Sequence, residues 1–270
     1  CSGAWAAPTV SAQWNGDFRS VPLKNGYSFA LRGNTIANGE ITITSKYGIQ
    51  VLGNYTDKKG AILVKYRNLT VPASGTHTIA GATDSSMHFA SIRQSTADEA
   101  GLTGFIEQNG SAYELSASPT LPESGYLLFS YSGAAGIAIH AGESLASLAG
   151  GSNGSLHWSD PNLAALAVGG PQFELTTHNS WSGLVIEKVA VFAGQYYSGA
   201  TVTDFADFAW AEPAATPLPN HKVIAINFNA GQGEGTGSGS SGNNNNKLGD
   251  NVDAGIPGLT IRGAGWNQVT

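Results

Sequence analysis

Apolar and polar positions alternate over short stretches through most of this chain, with almost no helical periodicity. Tyr27 to Leu31, Glu40 to Ser45, Ile49 to Leu52 and Ala61 to Tyr66 are the first predicted strands, separated by Asn38-Gly39, Tyr47-Gly48 and Asp57-Lys-Lys-Gly60. Asn-Gly and Gly-bearing loops between β-branched runs are hairpin chemistry, because the favoured tight turns need positive φ. Met87 to Arg93, Gly104 to Glu107, Tyr113 to Leu115, Tyr126 to Tyr131, Gly136 to His140, Leu156 to Trp158 and Phe173 to Thr176 continue the series. The strongest run is Leu184 to Phe192, with Leu184, Ile186, Ala190 and Phe192 on one face and Val185, Val189 and Val191 on the other. Both faces being apolar, this strand is expected to be central and covered on both sides. Val202, Phe205, Phe208 and Ala209 then fall at helical spacing behind Thr201 or Thr203, which predicts one short closing helix. The series as a whole predicts an all-β fold, a two-sheet antiparallel β-sandwich.

The same pattern suggests four segments. Residues 1–14 are small and apolar with two tryptophans and read as an extended N-terminal leader; residues 15–210 form the sandwich; residues 211–220, with Pro213-Ala-Ala-Thr-Pro-Leu-Pro219, read as a stiff linker. Residues 221–270 hold a new strand at Lys222–Phe228, a Gly/Ser/Asn tract at 231–246 and a further apolar run from Gly258. Such an extension is too short to bury a sandwich core alone. Either it begins a second β module, or its apolar residues Val223, Ile224, Ile226, Phe228, Leu259, Ile261 and Trp266 pair with another chain, as unpaired strands can.

Composition narrows the function classes. Charged residues make up only 12% of the chain, about half the usual share, while 36 glycines and many Ser, Thr and Asn fill the turns. That profile suits an extracellular β protein. The net charge is −6 and the thirteen basic residues are scattered singly, so no basic stripe is available for nucleic acid. No apolar run is long enough to span a membrane as a helix. The only cysteine is Cys1, a position that in a bacterial lipoprotein carries the lipid anchor after signal cleavage; a cut chain or a free thiol are the alternatives.

Gly169-Gly170, the run Trp181-Ser-Gly-Leu-Val-Ile-Glu-Lys-Val-Ala-Val-Phe192 and Phe205-Ala-Asp-Phe-Ala-Trp210 together resemble the C-terminal end of laminin-G-like, concanavalin A-like domains of large bacterial surface proteins. The resemblance covers about residues 15–210 and implies a concanavalin A-like jelly roll at the bacterial cell surface; contact with the outer membrane is expected only through a lipid anchor, if Cys1 carries one. That superfamily includes lectins and glucanases. The related glucanases carry their carboxylates as Glu-x-Asp-x-x-Glu on one strand, and no such run occurs here. The histidines show no metal-ligand spacing. The resemblance also implies that loop carboxylates and carbonyls can hold a structural calcium, for which Asn54, Asp57 and Asp160 are the candidates; no other cofactor is expected. For sugar binding, an aromatic face beside amide or imidazole groups is the required chemistry, and Trp158 with His157, and Trp181 with Asn179, are the candidates for it; the competing reading, and the commoner one for a tryptophan at the rim of a sandwich, is a half-buried core residue.

Low charge, apolar ends and the absence of a catalytic spacing lead to the expectation of a non-enzymatic extracellular structural or adhesive subunit. It would assemble through its terminal strands with copies of itself or with other surface proteins. The alternative is a carbohydrate-binding, lectin-like module with a polysaccharide partner, and the remote alternative is a glycoside hydrolase.

Overall fold

The alternating pattern folds into two sheets in the computed structural model, which describes residues 7–18, 23–55, 59–70, 74–84, 89–95, 102–106, 111–154, 163–171, 178–211, 252–253 and 260–261. The first sheet holds β1 (Ala12–Asn15), β3 (Thr35–Ala37), β4 (Glu40–Thr42), β6 (Lys59–Arg67), β11 (Gly125–Ser132), β12 (Gly136–Gly142), β13 (Ala149–Asn153) and β16 (Val185–Ala193). Its order is β13-β12-β11-β6-β16-β4-β3, with β1 following β4 along the same edge of β16. The second sheet holds β2 (Ser28–Ala30), β5 (Ile49–Leu52), β7 (Thr76–Asp84), β8 (Phe89–Ser95), β9 (Leu102–Ile106), β10 (Ser111–Glu114), β14 (Leu163–Val168) and β15 (His178–Asn179). There the order is β10-β9-β8-β7-β14-β5-β2; β15 pairs in parallel with β7, and every other pairing in the two sheets is antiparallel among the described residues. The fold is therefore an all-β, two-sheet sandwich.

The chain divides into two units, Cys1–Ala211 and Glu212–Thr270. The sandwich is the first. In the second, the described residues form one antiparallel pair, β17 (Val252–Asp253) with β18 (Thr260–Ile261), which carries Ile261. Cys1 and the other candidate assembly residues, Val223, Ile224, Ile226, Phe228, Leu259 and Trp266, lie outside the described residues.

β16 is central, as its double apolar pattern predicts, but its faces are divided differently. Its register against β6 slips at Glu187, so that Ile186 faces Tyr66 while Lys188 faces Lys65. This bulge reverses the side-chain parity after it. Leu184, Ile186, Val189 and Val191 all enter the core between the sheets, and Ala190 and Phe192 turn to the opposite face. Strict alternation puts Ala190 and Phe192 with Ile186, because it has no extra residue.

Two cores follow from that reversal. Between the sheets, β1 contributes Trp14, which is fully buried against Phe29 of β2 at 4.3 Å between ring centroids. The sheet thus begins at Ala12, inside the stretch expected as leader. On the outer face of the first sheet, Phe192 is the hub of an aromatic cluster. Tyr197, Phe205 and Phe208 meet it edge-on at 5.8, 5.2 and 5.7 Å. The expected closing helix is a 3-10 helix, Gly199–Phe205. Its buried residues, Val202 and Phe205, are three apart, and in a 3-10 turn that spacing places them one above the other.

His140 of β12 lies on this covered outer face, 3% exposed, between its register partners Leu128 and Gly150. Burial lowers its pKa from the usual 6.5 to about 4. The folded state therefore holds His140 neutral where the unfolded chain would bind a proton. Stability on this account is intact above pH 6.5 and falls as pH drops from 6.5 toward 4, at ~1.4 kcal/mol per pH unit. The full loss is about 3 kcal/mol. Urea melts between pH 4 and 7 are expected to show a steeper decline for the native chain than for His140→Leu, and parallel slopes would refute this. Separately, Phe192→Ala should cost roughly 3–5 kcal/mol in the same melts, as aromatic truncation in a packed core does.

Candidate functional site

Among the described residues, the space between the sheets is nearly filled. The void between the sheets, bounded by Tyr66, Leu69, Ile79, Val168, Trp181 and Leu184, has a volume of about 10 Å³ with an apolar lining. That is space for about one water and provides none of the polar partners a water needs. The polar groups open to a ligand among the described residues are at the surface.

One end of the sandwich gathers four segments there. The β2–β3 turn closes with the Asn34 N–H donating to the Leu31 carbonyl at 3.0 Å, and Arg32 and Gly33 at its centre have φ of +53° and +85°. Asn34, 6% exposed, ties this turn to the β4–β5 loop. Its Oδ1 accepts from the Thr44 and Ser45 N–H groups at 2.9 and 3.0 Å, and its Nδ2 donates to the Leu31 and Tyr47 carbonyls at 2.8 and 2.9 Å. The Ser180 hydroxyl donates to the Ser45 carbonyl, joining the third segment, and Gly48 N–H donates to Pro171 O at 3.2 Å, joining the fourth.

On this frame Tyr47 is half-buried with two cations against its ring. The Arg32 guanidinium lies 4.6 Å from the ring centroid and the Lys46 ammonium 5.3 Å from it. Arg32 and Lys46 are both exposed. Asn179, also exposed, sits beside Ser180 and pairs with His77 in the parallel β15–β7 ladder. Arg32 and Lys46 can offer charged donors to an oxygen-rich ligand from the Tyr47 surface, while the Asn179 amide lies by Gly75, at the turn before β7.

The expected site residues fare differently. Trp181 is 2% exposed; its indole N–H donates to the Thr70 carbonyl at 2.7 Å and its ring meets His77 edge-on at 5.7 Å. A buried face cannot stack on a sugar, so Trp181 holds up the loop cluster from beneath. The same burial lowers the His77 pKa, against a smaller opposite effect of a hydrogen bond with the Gly75 backbone. Asn179 is at the surface as expected. His157, Trp158, Asp57 and Asp160 lie outside the described residues. Asn54 is exposed, and its carbonyl accepts the Tyr27 hydroxyl at 2.6 Å. Among the described residues, no three His, Cys, Asp or Glu side chains stand together as a metal site.

Arg32, Asn34, Lys46 and Tyr47 are not singled out by sequence spacing, because their grouping depends on the β2–β3 turn meeting the β4–β5 loop. The available signal is Leu31-Arg-Gly-Asn34, a turn-type run in which arginine occupies a position that favours Gly or Asn. Elsewhere, Glu187 in the bulge pairs with Lys65 at 2.8 Å and with Arg67 at 3.1 Å, and Arg67 also holds Glu40. These carboxylates are engaged in an ion-pair lattice on the outer face of the first sheet.

No protein-family model matches the sequence, and no curated protein matches it. Solved structures do. Trypanosoma rangeli sialidase in complex with sialic acid superposes with a TM-score of 0.53 at 11% identity, over 75% of this chain and 34% of that one. The same enzyme captured as a covalent intermediate with 2,3-difluorosialic acid gives 0.51 at 10% identity, over 74% and 33%. The GH43 protein BlXynB from Bacillus licheniformis gives 0.45 at 10% identity, over 67% and 39%. This chain thus spans about a third of the length of the sialidase chains it matches, and what it shares with them is the sandwich fold. That likeness overturns the expectation of a non-enzymatic structural or adhesive subunit: its fold is one that a glycosidase chain contains, and low charge with apolar ends does not separate the two classes.

The loop cluster yields a direct test. Asn34→Ala leaves the Thr44 and Ser45 amides and the Leu31 and Tyr47 carbonyls without that partner, and is expected to cost about 2 kcal/mol. Hydrogen exchange should show faster exchange at Thr44 and Ser45 than at the centre of β6; unchanged protection there would show that the turn and loop hold together without Asn34.

Proposed function

We propose that this chain is a carbohydrate-binding, lectin-like sandwich of the broad concanavalin A-like type, working within a glycoside-hydrolase protein outside the cell. The observation that carries the reading is the shared fold with a portion of a sialidase, an enzyme whose solved complex holds sialic acid. The exposed Arg32 against Tyr47, and the exposed Asn179 at the β15 edge, support it with the donor chemistry that saccharide hydroxyls need. Low charge and abundant Gly, Ser, Thr and Asn support the extracellular location. Hydrolysis by the protein itself is the second reading, favoured by the sialidase captured as a covalent intermediate.

A glycan array probed with the full chain is expected to show binding to a defined saccharide class, reduced at least tenfold in Asn179→Ala. The same chain incubated with the bound glycan separates the two readings, since release of reducing ends would establish hydrolysis. No binding to any glycan would sink the proposal.

A further inference from the structure

Resting on that carbohydrate-binding reading, we infer that the Arg32–Tyr47–Lys46 cluster selects anionic saccharides, taking a sugar carboxylate or sulfate ester on the Arg32 guanidinium with Lys46 alongside.

Charge and conformation point the same way. The protein is acidic, with a net charge of −6, yet among the described residues the segments that build this surface, 31–35, 44–48, 168–171 and 178–184, hold two cations and no Asp or Glu. Among the described residues no carboxylate pairs with Arg32. In contrast, Arg67 is held by Glu40 and Glu187, and Lys24 by Asp17. Arg32 is thus a cation placed on a surface and left without an internal anion.

Its backbone makes the placement costly. Arg32 has a left-handed φ of +53° at the first central position of its turn, where Asn or Gly is favoured. The other non-glycine residues at positive φ among the described residues, Asn25, Asn38 and Asn68, are all asparagines. A strained residue whose side chain makes no hydrogen bond in the structure is not explained by stability. It is explained by what the side chain presents: a planar fork of donors, steadied against Tyr47 at 4.6 Å, matched to a carboxylate or sulfate. Lys46 lies 5.3 Å from the same ring, so the second cation of this surface stands beside the first.

The test titrates the full chain with polygalacturonate, chondroitin sulfate and neutral xylan at 20 and 200 mM salt. Binding to one or both anionic polymers, weakened by salt and at least tenfold tighter than to xylan, is expected. Polygalacturonate against chondroitin sulfate distinguishes a carboxylate from a sulfate as the recognised group. Arg32→Asn should lose at least tenfold of the anionic binding while Tm stays level or rises, because asparagine relieves the left-handed φ; Lys46→Ala should lose severalfold. Undiminished anionic binding in Arg32→Asn, or xylan bound as tightly as the anionic polymers, overturns this inference and leaves the carbohydrate-binding reading standing. A fall in Tm with Arg32→Asn that matches the loss of binding makes Arg32 a structural residue and overturns it too. No binding to any glycan overturns both.

Discussion

The structure depends on burying β16 on both faces, and that burial depends on one extra residue. Glu187 takes up the register slip against β6, so the apolar residues after it are divided between two cores. Without the slip, Phe192 would point between the sheets and Val189 and Val191 outward, where the 3-10 helix Gly199–Phe205 packs. The bulge has a second consequence: it leaves Glu187 beside Lys65 and Arg67, so the residue that breaks the ladder also fastens the two strands with ion pairs. Such partly exposed pairs contribute little stability each. Their role here is positional, since they favour the register in which the slip falls at 187.

From that frame the loop end inherits its rigidity. β16 begins at Val185, directly after the Trp181–Leu184 turn, in which the Leu184 N–H donates to the Trp181 carbonyl at 3.1 Å. Gly183 and Leu184 in turn bond to both backbone groups of Ile43, at 2.9 Å each. The β4–β5 loop is therefore held from below by the strand that organises the core and from the side by Asn34. Loops placed this way on a rigid sandwich can present side chains without reordering on contact, which removes part of the entropic cost of binding.

How much of this was legible depended on whether a feature was local. β11, β12 and β6 read directly, because Tyr126–Tyr131, Gly136–His140 and Ala61–Tyr66 carry β-branched and aromatic residues. The Asn38-Gly39 turn read too, with φ of +53° and +79°, but the strand it joins to β4 is the three-residue β3, too short to stand out in sequence, and not the predicted Tyr27–Leu31, which lies in the other sheet. β7 and β14 did not. Thr76–Asp84 and Leu163–Val168 are rich in Ala and Gly, residues depleted in strands, and they become strands because the two pair with each other and present Leu166 and Val168 to the core. β13, Ala149–Asn153, is hidden for the same reason. For the site, Asn179 was legible as a polar residue beside a strand edge, and Trp181 was legible as a rim tryptophan of the kind more often packed into the core than exposed; the Thr70 carbonyl, 111 residues away in sequence, is what holds its indole inward. Arg32 and Tyr47 meet through a turn and a loop whose contact no periodicity encodes.

A short-range cation pair on an acidic protein also constrains how a charged partner could be selected. Across a Debye length of about 8–10 Å at physiological salt, the net charge of −6 gives an anionic polymer no long-range attraction to this chain. Discrimination must arise at contact, where the Arg32 fork and the Lys46 ammonium are near enough to outweigh the acidic residues elsewhere. That geometry favours recognition of an individual charged sugar over the accumulation of a polyanion, because a polyanion responds to an extended basic surface and the thirteen basic residues of this sequence are scattered singly. The low overall charge serves the same end: among the described residues of the loops that frame Arg32 there is no Asp or Glu, and its guanidinium stands on a left-handed turn position.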